Sequence, residues 1–588
     1  MLKTDNQIPK SRLYASYAVI SLIIMVLIVR FFQIQILKYE TFSKKSDINR
    51  IRAISLSAPR GLILDRNGTI LVDNYPTFIL NAIPGEILNK NESFMRISEC
   101  TGLDVSLLLD NYQKYYRTRF VPVRLAKDLT LSQISVLEEH RLDLTGIHYD
   151  QFPERVFPSK IRGSHFLGYV KEVNRDIYEK LDNNQLYEFG DLIGWQGVEK
   201  IYENELKGQK GVKYLEVNAF GQVMGNVAER MGERPIPGNN IHLTIDSGLQ
   251  GLLEQSMQGK RGVVIVSDAN NGDILAYISA PDYPPDLFTG ITHDEDWNDI
   301  LTNPDRPLMD RNSGGLYPPG SILKMITLLA LAEKGNLNTN FSIICTGEYA
   351  FGDRVFRCWN EYGHGNVDLR RALSESCNIY FYKIVQALKI DEWAEVAKEL
   401  GFGEKVGIDL PTEQKGNVPT KEYMNKRYGR YGWSKGAMLN LALGQGDVVV
   451  TPIQIAQYVN ILATRGITQK LHFGTNHIQN INVTPHFKAS SWELIDRLMK
   501  GVIYDAGGTG KSADPKIEGL VLAGKTGTAQ NPHGEDHAWF VGYGKKGEQV
   551  ISATVLIENG GHGGQFAAPI ARVAFNYVFQ PSQIVENQ

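Results

Sequence analysis

Strand-like apolar runs at both ends of the C-terminal half constrain the fold of this 588-residue chain more than any other feature. Gly262-Val263-Val264-Ile265-Val266 and Asp273-Ile274-Leu275-Ala276-Tyr277-Ile278 read as two strands, joined through the turn residues Asn270-Asn271-Gly272. Far along the chain, residues 519–528, 538–543 and 550–558 read as three more strands, and 569–578 as a closing helix. Five strands contributed from both ends of one segment, with helices between them, predict a mixed α/β (α+β) domain: an antiparallel five-stranded sheet covered by helices.

Composition places this domain in a larger, membrane-linked protein. With 43% hydrophobic and 22% charged residues, the chain can bury substantial cores and should divide into two or more domains. A net charge of -3 gives no reason to expect nucleic acid. Residues 13–29 carry no charged side chain, and 31–37 prolong the apolar stretch past Arg30, about the minimum for a spanning helix. No small-x-small cleavage site follows, so an uncleaved anchor is favoured over a signal peptide. Lys3, Lys10 and Arg12 precede it and Arg30, Lys38, Lys44 and Lys45 follow, which leaves its orientation open.

Three short motifs carry the chemistry. Ser321-Ile322-Leu323-Lys324, after the breaker run Tyr317-Pro318-Pro319-Gly320, places a hydroxyl and an amine three residues apart, within reach of each other on one helical face. A serine needs a neighbouring base, and a lysine can be that base only when burial or nearby positive charge lowers its pKa. Alone, the pattern equally describes a helix-capping serine and a solvated lysine. Ser376-Cys377-Asn378 adds a hydroxyl that can relay a proton and an amide that can hold a peptide. Lys525-Thr526-Gly527-Thr528, at a strand end, adds a cation and hydroxyls for a carboxylate, with a glycine that leaves room for a ligand backbone.

In this order, Ser-x-x-Lys, Ser-x-Asn and Lys-Thr-Gly resemble the signature of penicillin-binding proteins and serine β-lactamases. Arg60-Gly61-Leu62-Ile63-Leu64-Asp65-Arg66-Asn67-Gly68 is similar to a signature of the class B members, the monofunctional transpeptidases, with Asn67-Gly68 as a structural hairpin turn. Gly194-Trp195-Gln196-Gly197-Val198-Glu199 with Tyr202-Glu203, and Leu443-Gly444-Gln445-Gly446 with Thr451-Pro452, extend the resemblance over nearly the whole chain.

That resemblance implies a short cytoplasmic tail (1–12), a transmembrane anchor (13–37), a pedestal domain (38–239) with a head-like insertion near 84–150, a transpeptidase domain (240–580) and a C-terminal tail (581–588). It implies a single-pass protein of the cytoplasmic membrane with its catalytic domain facing the periplasm. Catalysis would use Ser321 as nucleophile and Lys324 as base, with no cofactor required for the chemistry. Ser376 would relay a proton, Asn378 would hold the substrate amide, and Lys525, Thr526, Gly527 and Thr528 would bind the carboxylate side. Lys525 would also keep Lys324 deprotonated. Substrates would be peptidoglycan stem peptides on a lipid-linked glycan polymer, and β-lactams would acylate the same serine.

The cysteines carry a second expectation. Cys345, Cys358 and Cys377 bracket His364, and three thiolates with one imidazole are a tetrahedral zinc set. A Cys345–Cys358 disulfide, a merely buried Cys377 and a loop His364 are the alternatives. The resemblance to elongation-type class B members, which can carry a metal-ligand set of cysteine, histidine and aspartate beside the Ser-x-Asn motif, implies a structural zinc fixing the loop of Ser376 and Asn378.

Arg306-Pro307-Leu308-Met309-Asp310-Arg311, Gly363-His364-Gly365 and the aromatic run after Asn378 resemble the elongation-type enzymes rather than the division type. Ile322-Leu323 departs from the Thr-Phe common inside the nucleophile motif. A RodA-type glycosyltransferase and an MreC-type scaffold are the implied partners. The rival functions are a D,D-carboxypeptidase or β-lactamase, and a β-lactam sensor. His533 and His537 read as non-catalytic, Glu535 and Asp536 as loop charges, and Gly-rich 501–510 as a loop near the site.

Overall fold

The computed structural model describes residues 10–42, 50–116, 118–119, 121–181, 187–217, 223–227, 231–289, 294–475, 482–483, 486–531 and 534–580. The tail at 581–588, most of the tail at 1–12, and His533 lie outside them. Contacts divide the chain into two compact units that interleave in sequence: 1–59, 76–153 and 209–236 form one, and 60–75, 154–208 and 237–588 form the other.

In the first unit, helix α1 (Lys10–Phe32) opens the described chain. It continues as a π-helical turn to Leu37, and the most apolar 18-residue window of this 28-residue stretch has a mean hydropathy of 2.4 with none of it buried, which is long and apolar enough to cross a membrane. Ile51–Leu56 pairs antiparallel with Gly211–Val217, which pairs with Val223–Asn226. A small helical lobe packs Phe94, Ile97, Leu108, Ile134 and Leu137 into one core. Its helices start where Asn89, Asp104 and Thr130 each accept an otherwise orphaned backbone N–H of the first turn.

The second unit contains the five-stranded sheet. Strands β1 (Gly262–Asp268), β2 (Ile274–Ala280), β3 (Val521–Ala529), β4 (His537–Lys546) and β5 (Gln549–Ile557) run antiparallel in the order β2-β1-β5-β4-β3. Side chains alternate between two cores, as the two-residue strand period requires. Trp539, Val541 and Tyr543 face helices α2 (Lys324–Glu333), α3 (Asn378–Ile384), α5 (Pro452–Thr464) and α6 (Ala489–Tyr504). Ala538 and Phe540 face the helix Ser247–Ser256 and α7 (Ala568–Phe579). A shorter helix, α4 (Gly436–Ala442), precedes α5. The Gly-rich stretch is only partly a loop: 501–504 form the last turn of α6.

Helix α2 has no polar face, and its residues from Lys324 to Leu331 are all buried. A helix apolar all round belongs in the interior, and that placement takes the Lys324 amine out of water. The turn before it packs on β3, which is why Gly527 is a glycine: a side chain there would stand 3.0 Å from both Ile322 Cγ2 and Trp539 Cβ. The missing side chain of Gly527 therefore seats the Ser321 turn rather than opening space for a ligand.

The family-like segments at 60–68 and 194–203 meet within this unit. Arg60 donates to Glu199 Oε2 (2.8 Å) and Glu203 Oε2 (2.7 Å), while Arg155 donates to Glu199 Oε1. Glu199 is 1% exposed, and its carboxyl lies below the ordinary glutamate value because Arg155 and Arg60 outweigh the burial that works against ionisation. Asp65 accepts the backbone N–H groups of Asn67 and Thr69 at 2.8 Å each and closes the 65–69 turn. Glu199→Ala leaves two buried cations short of a partner and is expected to cost roughly 3–5 kcal/mol in denaturant unfolding. Glu203→Ala, at a side chain 13% exposed, should cost less.

Candidate active site

Ser321 sits in the 3₁₀ turn Gly320–Leu323, ahead of α2. Gly320 has φ +63° and a Cβ there would meet Thr528 O at 3.0 Å, so glycine is what lets the turn lie against β3. Gly320 N donates to Gly444 O at 2.9 Å, which ties the turn to the 443–446 segment.

Ser376 is placed by an unusual helix end. The helix Leu369–Ser374 finishes with Cys377 N donating to Ala372 O (2.9 Å) and Ser376 N to Leu373 O (3.3 Å), the Schellman pattern. The left-handed position of that pattern is ordinarily glycine, yet Ser376 holds it at φ +55°. Cys377 then precedes α3, whose first residue is Asn378. Two helix ends thus aim Ser376 and Asn378 at one point.

That point is the Lys324 amine. Lys324 Nζ donates to Ser376 O (2.9 Å), Asn378 Oδ1 (2.9 Å) and Ser376 Oγ (3.1 Å). Lys525 Nζ donates to the same Ser376 Oγ (2.9 Å) and to Thr526 O (2.8 Å). Both amines are wholly buried, and among the described residues all their hydrogen-bond acceptors are neutral oxygens. Burial pulls Lys324 down to about 8, and it takes Lys525 well below the ordinary lysine value, with the Lys324 charge adding to the effect. Among the described residues no hydrogen bond joins Ser321 Oγ to Lys324 Nζ. The three acceptors supplied by Ser376 and Asn378 occupy the amine instead.

A cavity of about 490 Å³ opens over these groups, lined by Ser321, Ser376, Asn378, Thr526 and Thr528. Thr526 is fixed by Thr509, their hydroxyls 2.6 Å apart. β3 is an edge strand, so one row of its backbone groups is unpaired within the sheet. Arg357, Trp359, Asn440, Gln445, Asp536 and His562 line the same cavity and escaped the motif reading, although Gln445 lies inside a family-like segment. Asp536 is thus a cavity residue as well as a loop charge. His537 starts β4, accepts Asn559 N at 3.2 Å and stands outside the lining.

Behind Ser376 the four expected metal ligands meet. Ligand atoms of Cys345, Cys358, His364 and Cys377 all lie within 4.8 Å of one another. His364 Nδ1 is 3.6 Å from Cys345 Sγ and 3.5 Å from Cys358 Sγ. Ideal tetrahedral bonds to zinc would set such an S···N edge at about 3.6 Å, so the donor set fits. All four cysteines of the chain are free, which removes the disulfide alternative in this structure. Cys358 Sγ also accepts the backbone N–H of Asn378 at 3.4 Å, linking the cluster to the site.

Comparison with known proteins gives this geometry its context. The penicillin binding protein transpeptidase domain matches residues 262–576, and the penicillin-binding protein dimerisation domain matches 55–243. The peptidoglycan D,D-transpeptidase MrdA of Haemophilus influenzae is 32% identical over 98% of this chain and 92% of its own length. The penicillin-binding protein PBP2 of Helicobacter pylori, solved in a complex with MreC, superposes with a TM-score of 0.81 at 28% identity, covering 91% of this chain and 100% of that one. A chain from a peptidoglycan synthase complex, described as coordinating polymerization and crosslinking, gives 0.71 at 28% identity over 96% of this chain and 98% of its own. On both domain matches and nearly full-length similarity, the chain belongs to the class B penicillin-binding proteins and resembles their PBP2 members.

Proposed function

We propose that this chain is a peptidoglycan D,D-transpeptidase of cell-wall elongation working through an acyl-enzyme at Ser321. The observation that carries this reading is the convergence of Lys324, Lys525 and Asn378 on Ser376, in the cavity that also holds Ser321.

With no carboxylate against it among the described residues, the buried Lys324 amine readily gives up its proton, and the lone pair so freed takes the hydroxyl proton of Ser321. Ser321 Oγ attacks the carbonyl carbon between two D-alanines; the C–N bond breaks, and the terminal D-alanine leaves with a proton relayed through Ser376. The backbone N–H groups of Ser321 and Thr528 are assigned to the oxyanion, each worth about 3 kcal/mol in such sites. Asn378 and the free edge of β3 hold the donor peptide extended, as strand addition does. Lys525, Thr526 and Thr528 face its carboxylate, and a β-lactam ring would enter by the same route.

The pedestal (38–239, with the head-like insertion near 84–150) serves as a non-catalytic spacer and docking surface beside the transpeptidase domain (240–580) in the sequence, and residues 13–37 anchor the chain in the cytoplasmic membrane. An MreC-type scaffold fits the likeness to the Helicobacter pylori protein solved with MreC, and a RodA-type glycosyltransferase fits the likeness to the synthase complex. Zinc held by Cys345, Cys358, His364 and Cys377 would supply a rigid cross-link behind the Ser376 turn, outside the chemistry.

Labelled penicillin should form a stable adduct with the protein and none with Ser321→Ala; an adduct on that variant would overturn the assignment. The acylation rate should climb with pH through about 8, because only the neutral Lys324 amine accepts a proton, and a flat profile between pH 6 and 10 would contradict it. Ser376→Gly relieves left-handed strain of about 1 kcal/mol, which offsets part of the two hydrogen bonds lost by the buried amines, while acylation falls by roughly 10²-fold or more. Metal analysis should find one zinc per chain, lost in His364→Ala together with thermal stability.

A further inference from the structure

A second cavity, of about 660 Å³, adjoins the first. Asn440 and Gln445 line both. Between them Gly444 O accepts the backbone N–H of Gly320, so the shared wall is bonded to the residue preceding Ser321. The opposite wall is the hairpin formed by Glu348–Phe351 and Arg354–Arg357, whose Arg357 also reaches the first cavity.

We propose that this second cavity binds the amine-bearing stem peptide that resolves the acyl-enzyme. The inference rests on the transpeptidase reading above and deepens it. A donor peptide laid along β3 fills the Thr526 and Thr528 side of the first cavity, leaving the α4 side for the second substrate. The volume suits a peptide segment of a few residues. Its lining has the chemistry of a zwitterionic peptide with an aliphatic arm: Phe356 and Trp433 offer ring faces to methylenes, while Arg354 and Lys435 offer cations to carboxylates. Arg354, Asp353 and Lys435 are exposed and make no ion pair among the described residues, so their charges remain available. Asp447 is already held by Arg427 and Tyr428 at 3.0 Å each and shapes the wall. Desolvation at the Ser321 end disfavours an ammonium, so the arriving amine is pressed into the neutral form that can attack. Its nitrogen bonds to the ester carbonyl carbon, the carbonyl carbon–Oγ bond of Ser321 breaks, and the proton lost by the amine returns to Ser321 Oγ through Lys324.

The test uses the full chain, a D-alanyl thioester as donor, and two acceptors: a stem tripeptide with a side-chain amine, and hydroxylamine. Arg354→Glu, at an exposed hairpin tip, and Trp433→Leu are compared with the parent by the ratio of acyl transfer to hydrolysis, and labelled penicillin reports whether each variant has kept its folded site. Both variants should lose about tenfold of the preference for tripeptide over hydroxylamine, with a raised KM for the tripeptide. Preference within twofold of the parent in both variants, or equal loss toward both acceptors, would overturn the proposal. A parent that transfers the acyl group only to water would instead defeat the transpeptidase reading itself.

Discussion

Two amines buried around one serine hydroxyl are the constraint on which the rest of this site depends. Lys324 Nζ and Lys525 Nζ lie 3.1 and 2.9 Å from Ser376 Oγ, and their hydrogen-bond acceptors among the described residues are all neutral oxygens. Two full positive charges so close in a dry setting repel strongly, and an isolated buried ion is costly even before repulsion is counted. The pair therefore holds its protons less readily than free lysines do. An all-apolar α2 enforces the burial of one amine, and the inward face of β3 enforces the other. Neither residue could be activated on a surface helix or an exposed strand.

Keeping Ser376 between those amines has its own cost. A non-glycine residue in the left-handed region loses on the order of 1 kcal/mol, and the Schellman pattern that fixes it is ordinarily closed by glycine. Glycine would give the same turn without the hydroxyl that both lysines share. Strain here thus follows from chemistry, and the surroundings hold it in place: Cys377 and Asn378 leave the turn directly into α3, and Asn378 N is tied to Cys358 Sγ.

Much of the sheet was legible because strands buried against helices write their pattern in apolar runs. All five strands and the closing helix fall within a few residues of the expected bounds, and the sheet order joins both ends of the segment. The four thiol and imidazole ligands were legible as a set, though spacing alone left a disulfide open. Four things were hidden. The left-handed Ser376 carries no glycine to announce it. Lys324 turned out to be held by Ser376 and Asn378, because contacts fifty residues away supply acceptors that an i to i+3 rule cannot see. Gly527 read as room for a ligand, whereas its bare Cα accommodates Ile322 and Trp539. Asn440, Trp359 and His562 reach the cavity from separate elements and have no motif of their own.

The segment from Cys345 to Cys377 joins these features mechanically. Cys345 and Cys358 bracket the hairpin that walls the second cavity, and Cys358 N donates to Gly347 O at 2.8 Å at the hairpin's base. Cys377 follows Ser376 directly. A cluster that fixes these three sulfurs and His364 within 4.8 Å therefore fixes the relative positions of the hairpin and the Ser376 turn. Loosening it would let the hairpin and the Ser376 turn move independently, blurring the peptide path and the amine geometry together. A site that must bring two separate peptides to one carbonyl gains more from such a shared brace than from rigidity in either wall alone, since misplacement of a reacting group by about 1 Å can cost about 10²-fold in rate.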